Sequence, residues 1–504
     1  MFTLRFAFGL VLIFASLGGV MRALEVTPAE ANRPPTDAWL KQVLSVGSNL
    51  SWTDVEHASI DAAKIAAQGN RTSAMGRWLQ VAQWARLLSS DQRQVTNRWV
   101  TAMNSARLGH ANIPRDFPVK NEALSALVSA EFVAAVMTSP DFSSSFFQSL
   151  TPYDYLPKVL RILDQIYLSD PEVFRQYDQL ALPIALIHDV PPPPHWPHGQ
   201  VSPGLVSRTL PSALRVFEFW VKADRSKMTL HRLTNLAASE LKFVVDAAAP
   251  FDELVWAQQK QRYTFANLPR AYDAIAYRTD RIERNEYDWL GGTYDLPTIL
   301  AVGGICIDQG YYACQIGKAR GVPTLLFRGA GMDGRHAWFG YLDAQKKWQL
   351  DVGRYEEQKF VAGVAFDPQT WGDVNDHELA FLAERFRELP RYRQSRAWLQ
   401  MAREYLREDS IAAGLAAAKK ATNLEPRHVQ AWDTVVVAER AVELSESDRE
   451  FTLRQAARAL QHYPDLYARF QRDAIMVLRE RGQTSRADHE ERQLARKFNS
   501  DRRD

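Results

Sequence analysis

At 504 residues the chain exceeds what one ordinary hydrophobic core organises, which predicts two to four domains. Its 46% hydrophobic content, with 14 Trp and 24 Phe, is that of a globular protein. Lys and Arg number 61 against 59 Asp and Glu, and a net charge this close to zero gives no ground for a nucleic-acid partner. The two cysteines, Cys306 and Cys314, rule out a disulfide framework as the source of stability.

The first segment is read as targeting sequence. Arg5 precedes an apolar run over residues 6–20, and Ala23 offers a small residue for cleavage. This layout predicts a secretory signal peptide over residues 1–23 and a secreted or periplasmic protein. A membrane anchor through residues 6–20 is the runner-up, although a bilayer span needs about 20 apolar residues. After cleavage, no contact with membrane is expected.

Residues 24–250 read as a helical N-terminal region. Trp78, Val81, Ala85 and Leu88 follow the spacing of a buried helix face. Leu210-Pro211-Ser212 opens a second helical run from Ala213, with proline suited to a first turn. Between them, the proline-rich stretch 189–198 is extended rather than helical.

In residues 251–380 the pattern changes. A helical stretch carrying Ala271, Ile275 and Ile282 leads to a turn at 288–292, then to Gly303-Gly304-Ile305-Cys306. Helical spacing covers 307–320, Gly321 caps it and Pro323 prevents continuation. Residues 322–328 are β-rich and 329–334 read as a loop. Strands are expected over 336–342, 348–352 and 360–366, the first two joined as an antiparallel hairpin through 343–347. A helix on an antiparallel sheet is an α+β core.

Residues 381–504 return to helices. Ala397-Trp398 recurs as Ala431-Trp432, 34 positions on, and Pro390, Pro426 and Pro464 punctuate the segment. The period resembles that of tetratricopeptide repeats, with an unrelated helical bundle as the alternative. Ser447 and Glu450 have the spacing of a capping box.

A nucleophilic thiol needs a lowered pKa, a base, and a group that orients the base. Cys306 follows a Gly-Gly turn and starts a helix, where free N–H groups and the macrodipole favour thiolate and supply oxyanion donors. His336 starts one strand and Asp351 ends the next, so an antiparallel pairing brings them to one end of the sheet. Imidazole there serves as base and carboxylate fixes its tautomer. The alternative reading makes Cys306 a buried small hydrophobe, His336 a strand cap and Asp351 a turn residue.

Gly303-Gly304-Ile305-Cys306-Ile307-Asp308-Gln309, Ala319-Arg320-Gly321-Val322-Pro323, His336-Ala337-Trp338 and Trp348-Gln349-Leu350-Asp351 together resemble the transglutaminase-like superfamily. The likeness covers residues 251–368, about a quarter of the chain. It implies a papain-like α+β core, a Cys306–His336–Asp351 triad, and acyl transfer from an amide or ester through a thioester. The expected substrate is a protein or peptide, and no cofactor or metal is implied. Hydrolysis is favoured over crosslinking because water needs no acceptor site. The competing expectation is an inactive fold serving as a binding scaffold, with the C-terminal repeats presenting a surface to a protein partner. His195 and His198, near His188 and Asp189, lack a convincing fourth metal ligand and read as loop histidines. Cys314 lies on a core stripe with Ile307 and Tyr311. Trp289 is read as core, with a place at the acyl cleft as the alternative.

Overall fold

The switch from helical to alternating hydrophobicity after Pro323 is where the chain leaves helix for sheet. A computed structural model describes residues 25–45, 51–106, 120–193, 196–205, 211–331, 334–355 and 363–498. Labels are used here for α1 (Trp52–Gln68), α2 (Thr72–Ser89), α3 (Leu296–Val302), α4 (Cys306–Ala319), α5 (Pro390–Arg407), α6 (Ile411–Leu424), α7 (Val429–Ala441), α8 (Glu446–Ala459), α9 (Pro464–Glu480) and α10 (Thr484–Lys497). The strands are β1 (Thr324–Gly331), β2 (Gly334–Leu342), β3 (Trp348–Val352), β4 (Val364–Phe366) and β5 (Asp373–Asn375). The architecture is α+β: many helices and one five-stranded antiparallel sheet of order β3-β2-β1-β4-β5. The segment expected as signal peptide lies outside the described residues. Among the described residues, no helix is long and apolar enough to cross a membrane.

Two compact units interleave along the chain. One comprises residues 1–90, 123–144 and 384–498, the other 91–122, 145–383 and 499–504. One division falls between 383 and 384, beside the boundary expected at 380, and none falls at 250; the earliest helices group with the latest because they bury their apolar faces against them. In the first unit, Met75, Trp78 and Leu79 of α2 share a core with Trp398, Leu399, Met401 and Ala402 of α5. The Arg86 guanidinium donates to both oxygens of the buried Glu404 carboxylate, at 3.0 and 2.7 Å. Helices α5–α10 follow as three consecutive pairs. Trp398 and Trp432 are both buried, and their indole N–H groups donate to Thr72 Oγ1 and to the Pro426 carbonyl. The cap of α8 is Ser445, whose hydroxyl accepts from the Asp448 N–H at 3.2 Å, rather than Ser447.

In the second unit α4 packs on β1 and β2. Lys318, near its end, is buried and donates to Asp246 Oδ1 at 2.5 Å and to the Phe243 and Thr324 carbonyls. This pins the helix to the first residue of β1. The expected loop over 329–334 is shorter than predicted: Gly329–Gly331 and Gly334 belong to the β1–β2 ladder, which pairs Gly329 with His336 and Gly331 with Gly334. The expected helical stretch before Cys306 is instead a series of short helices, Phe251–Lys260, Arg270–Asp273, Thr279–Glu283 and α3. Of the strand expected at 360–366, residues 360–362 lie outside the described residues, Gly363 precedes the strand, and Val364–Phe366 form it.

Candidate active site

The turn before Cys306 is built by two glycines. Gly303 has φ +80°, and a Cβ on Gly304 would lie 2.3 Å from the Asp308 Cβ, so the chain can close over that carboxylate only without a side chain there. Asp308 is the third residue of α4 and caps it, accepting the Ile305 N–H at 2.8 Å. The same buried carboxylate accepts from Arg281 Nη1 at 2.9 Å and from the Tyr294 hydroxyl at 2.9 Å. Arg281 also donates to the carbonyls of Glu286, Tyr287 and Asp288. One ion pair thus holds both the helix start and the preceding loop.

A second strut comes from residues 276–278. The Gly304 N–H donates to the Ala276 carbonyl and the Arg278 N–H to the Gly304 carbonyl, each at 2.9 Å, a parallel bridge between Tyr277 and Gly304. Gln309 Nε2 ties α4 to the Ile275 carbonyl at 3.0 Å. Tyr277 is thereby held close to Cys306 on an exposed edge.

Across from this turn, the β2–β3 ladder pairs Phe339 with Val352, where β3 ends. Beyond that point the Ala337 backbone takes other partners. Its carbonyl accepts from the Tyr272 hydroxyl at 2.7 Å, and Ala337 packs against Cys306, its N–H near enough to the sulfur to lower the thiol pKa. That N–H belongs to the peptide joining His336 to Ala337, so the thiol lies beside the backbone of His336. Cys306 is partly exposed.

His336 is buried and its Nε2 lies 2.6 Å from the Gly353 carbonyl. A carbonyl only accepts, so Nε2 carries the proton and the lone pair of the neutral ring is on Nδ1. The ring stacks on Tyr355 at 3.9 Å between centroids, 16° from parallel. Gly353 has φ +86°, with Tyr272 packed where its Cβ would be.

The structure corrects the role expected of Asp351. Its carboxylate pairs with Arg354 Nη1 at 2.7 Å and is half exposed, while Arg354 also reaches Asp376 at 3.1 Å. The turn through Gly353 brings Arg354 back beside Asp351 and sets a backbone carbonyl, not the carboxylate, on the imidazole. The expected lowering of the thiol pKa is also reversed. Burial pushes the Cys306 thiol above its ordinary value. The N–H groups of Ala337 and Ile307 oppose that rise, Asp308 adds to it, and the residue's own N–H opposes it. Here desolvation outweighs the donors at the helix start.

Sequence reasoning missed the aromatic residues of the site. Tyr272 is pushed well above the ordinary phenol range by burial first, then by Cys306, Tyr355 and Tyr277. Tyr277 is pushed up to about 12 by burial, Cys306 and Tyr355. Both hydroxyls therefore stay protonated near the thiol. No spacing rule links positions 272, 277 and 355 to 306; only the Tyr277–Gly304 bridge and the turn at Gly353 bring them together. Trp289 is buried and donates its N–H to the Gly292 carbonyl at 3.3 Å within its own turn, against the edge of Tyr294. Cys314 is buried, with its thiol pushed up to about 12 by burial. His195 lies outside the described residues. His188 is buried and pushed down to about 4, by burial first and then Lys158. His198 is buried between Tyr294 and Tyr311. Among the described residues, no three His, Cys, Asp or Glu side chains are grouped to hold a metal ion.

No protein-family model, curated protein or solved structure matches the chain.

Proposed function

We propose that this protein is a thiol acyl-transfer enzyme of the transglutaminase-like type, exported from the cytoplasm and acting on protein or peptide amides. The observation that carries the reading is the meeting of two elements. The sulfur at the first turn of α4 packs against Ala337, the residue that follows His336, while Nε2 of His336 is held on the Gly353 carbonyl, which makes Nδ1 the basic atom. In this reading His336 Nδ1 takes the thiol proton as Cys306 sulfur bonds to the amide carbon. The oxyanion collapses, the C–N bond breaks and the imidazolium returns the proton to the leaving amine. Water then attacks the thioester and gives the carboxylic acid with the thiol restored; a primary amine in its place gives a new amide. Gly353 takes the orienting place first assigned to Asp351. A neutral carbonyl stabilises imidazolium less than a carboxylate does, which agrees with a resting pair of neutral thiol and neutral imidazole.

The raised thiol and the diversion of Asp351 to Arg354 favour a second reading, a transglutaminase-like fold kept as an inactive protein-binding scaffold. Purified protein is to be assayed for ammonia release from glutamine peptides and, separately, for amine incorporation and peptide cleavage. The enzyme reading expects a product lost in Cys306→Ala. Wild type and Cys306→Ala behaving alike across all three assays would favour the scaffold.

A further inference from the structure

The turn that gives His336 its acceptor takes a partner away from the next residue. β3 ends at Val352, opposite Phe339, and Gly353 then turns out of the strand with φ +86°. Ala337 lies on β2 two residues past that last pairing. The N–H and C=O of a strand residue point to the same edge, and the N–H of Ala337 lies beside the Cys306 sulfur. Its carbonyl therefore faces the edge that β3 has left, and Ala337 is buried. A buried carbonyl without a donor is costly. The phenol of Tyr272 supplies the donor, at 2.7 Å.

Tyr272 meets the same turn a second time. A Cβ on Gly353 would lie 2.6 Å from its ring. The ring thus fills the space that glycine leaves open, and it bears on the residue whose carbonyl accepts from His336 Nε2 at 2.6 Å. Phe339 of β2 lies 6.4 Å from the ring between centroids and 9° from parallel. Tyr272 is buried; burial, then the nearby Cys306, Tyr355, Tyr277 and Asp273, keep its hydroxyl protonated, so it donates throughout the neutral range. Its own segment is fixed to the nucleophile's turn, since the Ile275 carbonyl accepts from Gln309 Nε2 and the Ala276 carbonyl from the Gly304 N–H. One side chain, on a segment tied to the start of α4, grips His336 through the residue that follows it and through the residue that accepts its hydrogen bond.

We propose that Tyr272 is a positioning residue of the acyl-transfer site, whose hydroxyl and ring together hold the His336 imidazole in register with the Cys306 sulfur; this rests on the reading of Cys306 and His336 as nucleophile and base. Tyr272→Phe keeps a ring against Gly353 and removes only the donor, which leaves the Ala337 carbonyl unpaired. The strand end then relaxes toward another donor and carries His336 off the Gly353 carbonyl. Proton transfer by a positioned base falls steeply with such displacement. Binding of an ester does not use the hydroxyl, which is occupied by Ala337.

The test uses the full-length protein and two readouts. NMR of His336 follows the Nε2 proton held on the Gly353 carbonyl, and rapid release of p-nitrophenol from p-nitrophenyl acetate follows acylation of Cys306. In Tyr272→Phe the Nε2 proton is expected to exchange with solvent about 10-fold faster. The maximal acylation rate is expected to fall about 10-fold, with the half-saturating ester concentration changed by less than about 2-fold. Tyr272→Leu gives up the ring contact as well and is expected to lose more on both readouts. Tyr177→Phe is the control for loss of a buried phenol. Tyr177 is buried and donates to Asp224 Oδ2 at 2.8 Å, so its variant is expected to lose stability in chemical denaturation and keep both readouts of the wild type. Wild-type behaviour of Tyr272→Phe on either readout, or the same changes in Tyr177→Phe, overturns the proposal. A protected Nε2 proton that is lost in Tyr272→Phe, in a wild type that forms no acyl-Cys306, supports Tyr272 as the residue that holds His336 and overturns the acyl-transfer reading instead.

Discussion

The substitution Asp351→Asn separates this site from a triad that depends on its acid. In such a triad, loss of the acid lowers turnover about 10⁴-fold, or about 5.5 kcal/mol. Here the carboxylate is half exposed and bonded to Arg354 at 2.7 Å, an interaction worth roughly 0.2–1 kcal/mol for an exposed pair. Arg354 keeps Asp376 at 3.1 Å when Asp351 is neutralised. Activity in Asp351→Asn is therefore expected to fall by less than about 5-fold. Gly353→Ala is expected to be far more damaging, since φ is +86° and the new Cβ would lie 2.6 Å from the Tyr272 ring. That overlap moves the carbonyl that orients His336. Both variants are to be compared by amidase turnover and by the rate of Cys306 alkylation with iodoacetamide between about pH 5 and pH 10. Cys314, buried and pushed up to about 12, stays silent over that range. A large loss in Asp351→Asn with little change in Gly353→Ala would refute the assignment of the orienting role to the Gly353 carbonyl.

Alkylation of Cys306 in the wild type is expected to be slow at neutral pH and to rise through a midpoint above the ordinary thiol value, because burial disfavours thiolate; a midpoint below neutrality would contradict this. Arg281→Met leaves the buried Asp308 carboxylate without its cation and is expected to destabilise the second unit by about 3–5 kcal/mol, read by chemical denaturation; a loss under about 1 kcal/mol would show that Tyr294 and the Ile305 N–H suffice. His428 is held neutral, its folded value near 3 lying below the ordinary 6.5. Protonation therefore favours the unfolded chain, and the stability this residue contributes above pH 6.5 is lost as pH falls from 6.5 toward 3. Hydrogen exchange of α5–α7 amides is expected to accelerate over that window and to do so less in His428→Gln; equal acid sensitivity in the two proteins would exclude His428 as the cause.

The nucleophile's setting was legible because it is local. Two glycines, a helix start and Asp308 within six residues define the turn, and the strand spacing brings His336 to the same end of the sheet. The partner of Asp351 was not legible. Positive φ at Gly353 folds Arg354 back onto the carboxylate, and alternation cannot distinguish a side-chain acceptor from a carbonyl two residues later. The thiol's pKa was misjudged for a related reason: sequence shows the donors at a helix start but not how much apolar surface closes over the sulfur. The grouping of the earliest helices with the latest was not legible because periodicity reports which face of a helix is apolar, not what covers it. Trp78 and Trp398 share a core across 320 residues of chain, a pairing no local pattern contains.

The central claim, that Cys306 and His336 form a working nucleophile and base, is tested most directly by mass spectrometry of the peptide bearing Cys306 after brief exposure to a p-nitrophenyl ester and acid quench. The account predicts an acyl adduct on Cys306 that forms much more slowly in His336→Gln than in Asp351→Asn. Acylation of Cys306 at the same rate with and without His336, or none on that residue, would contradict it.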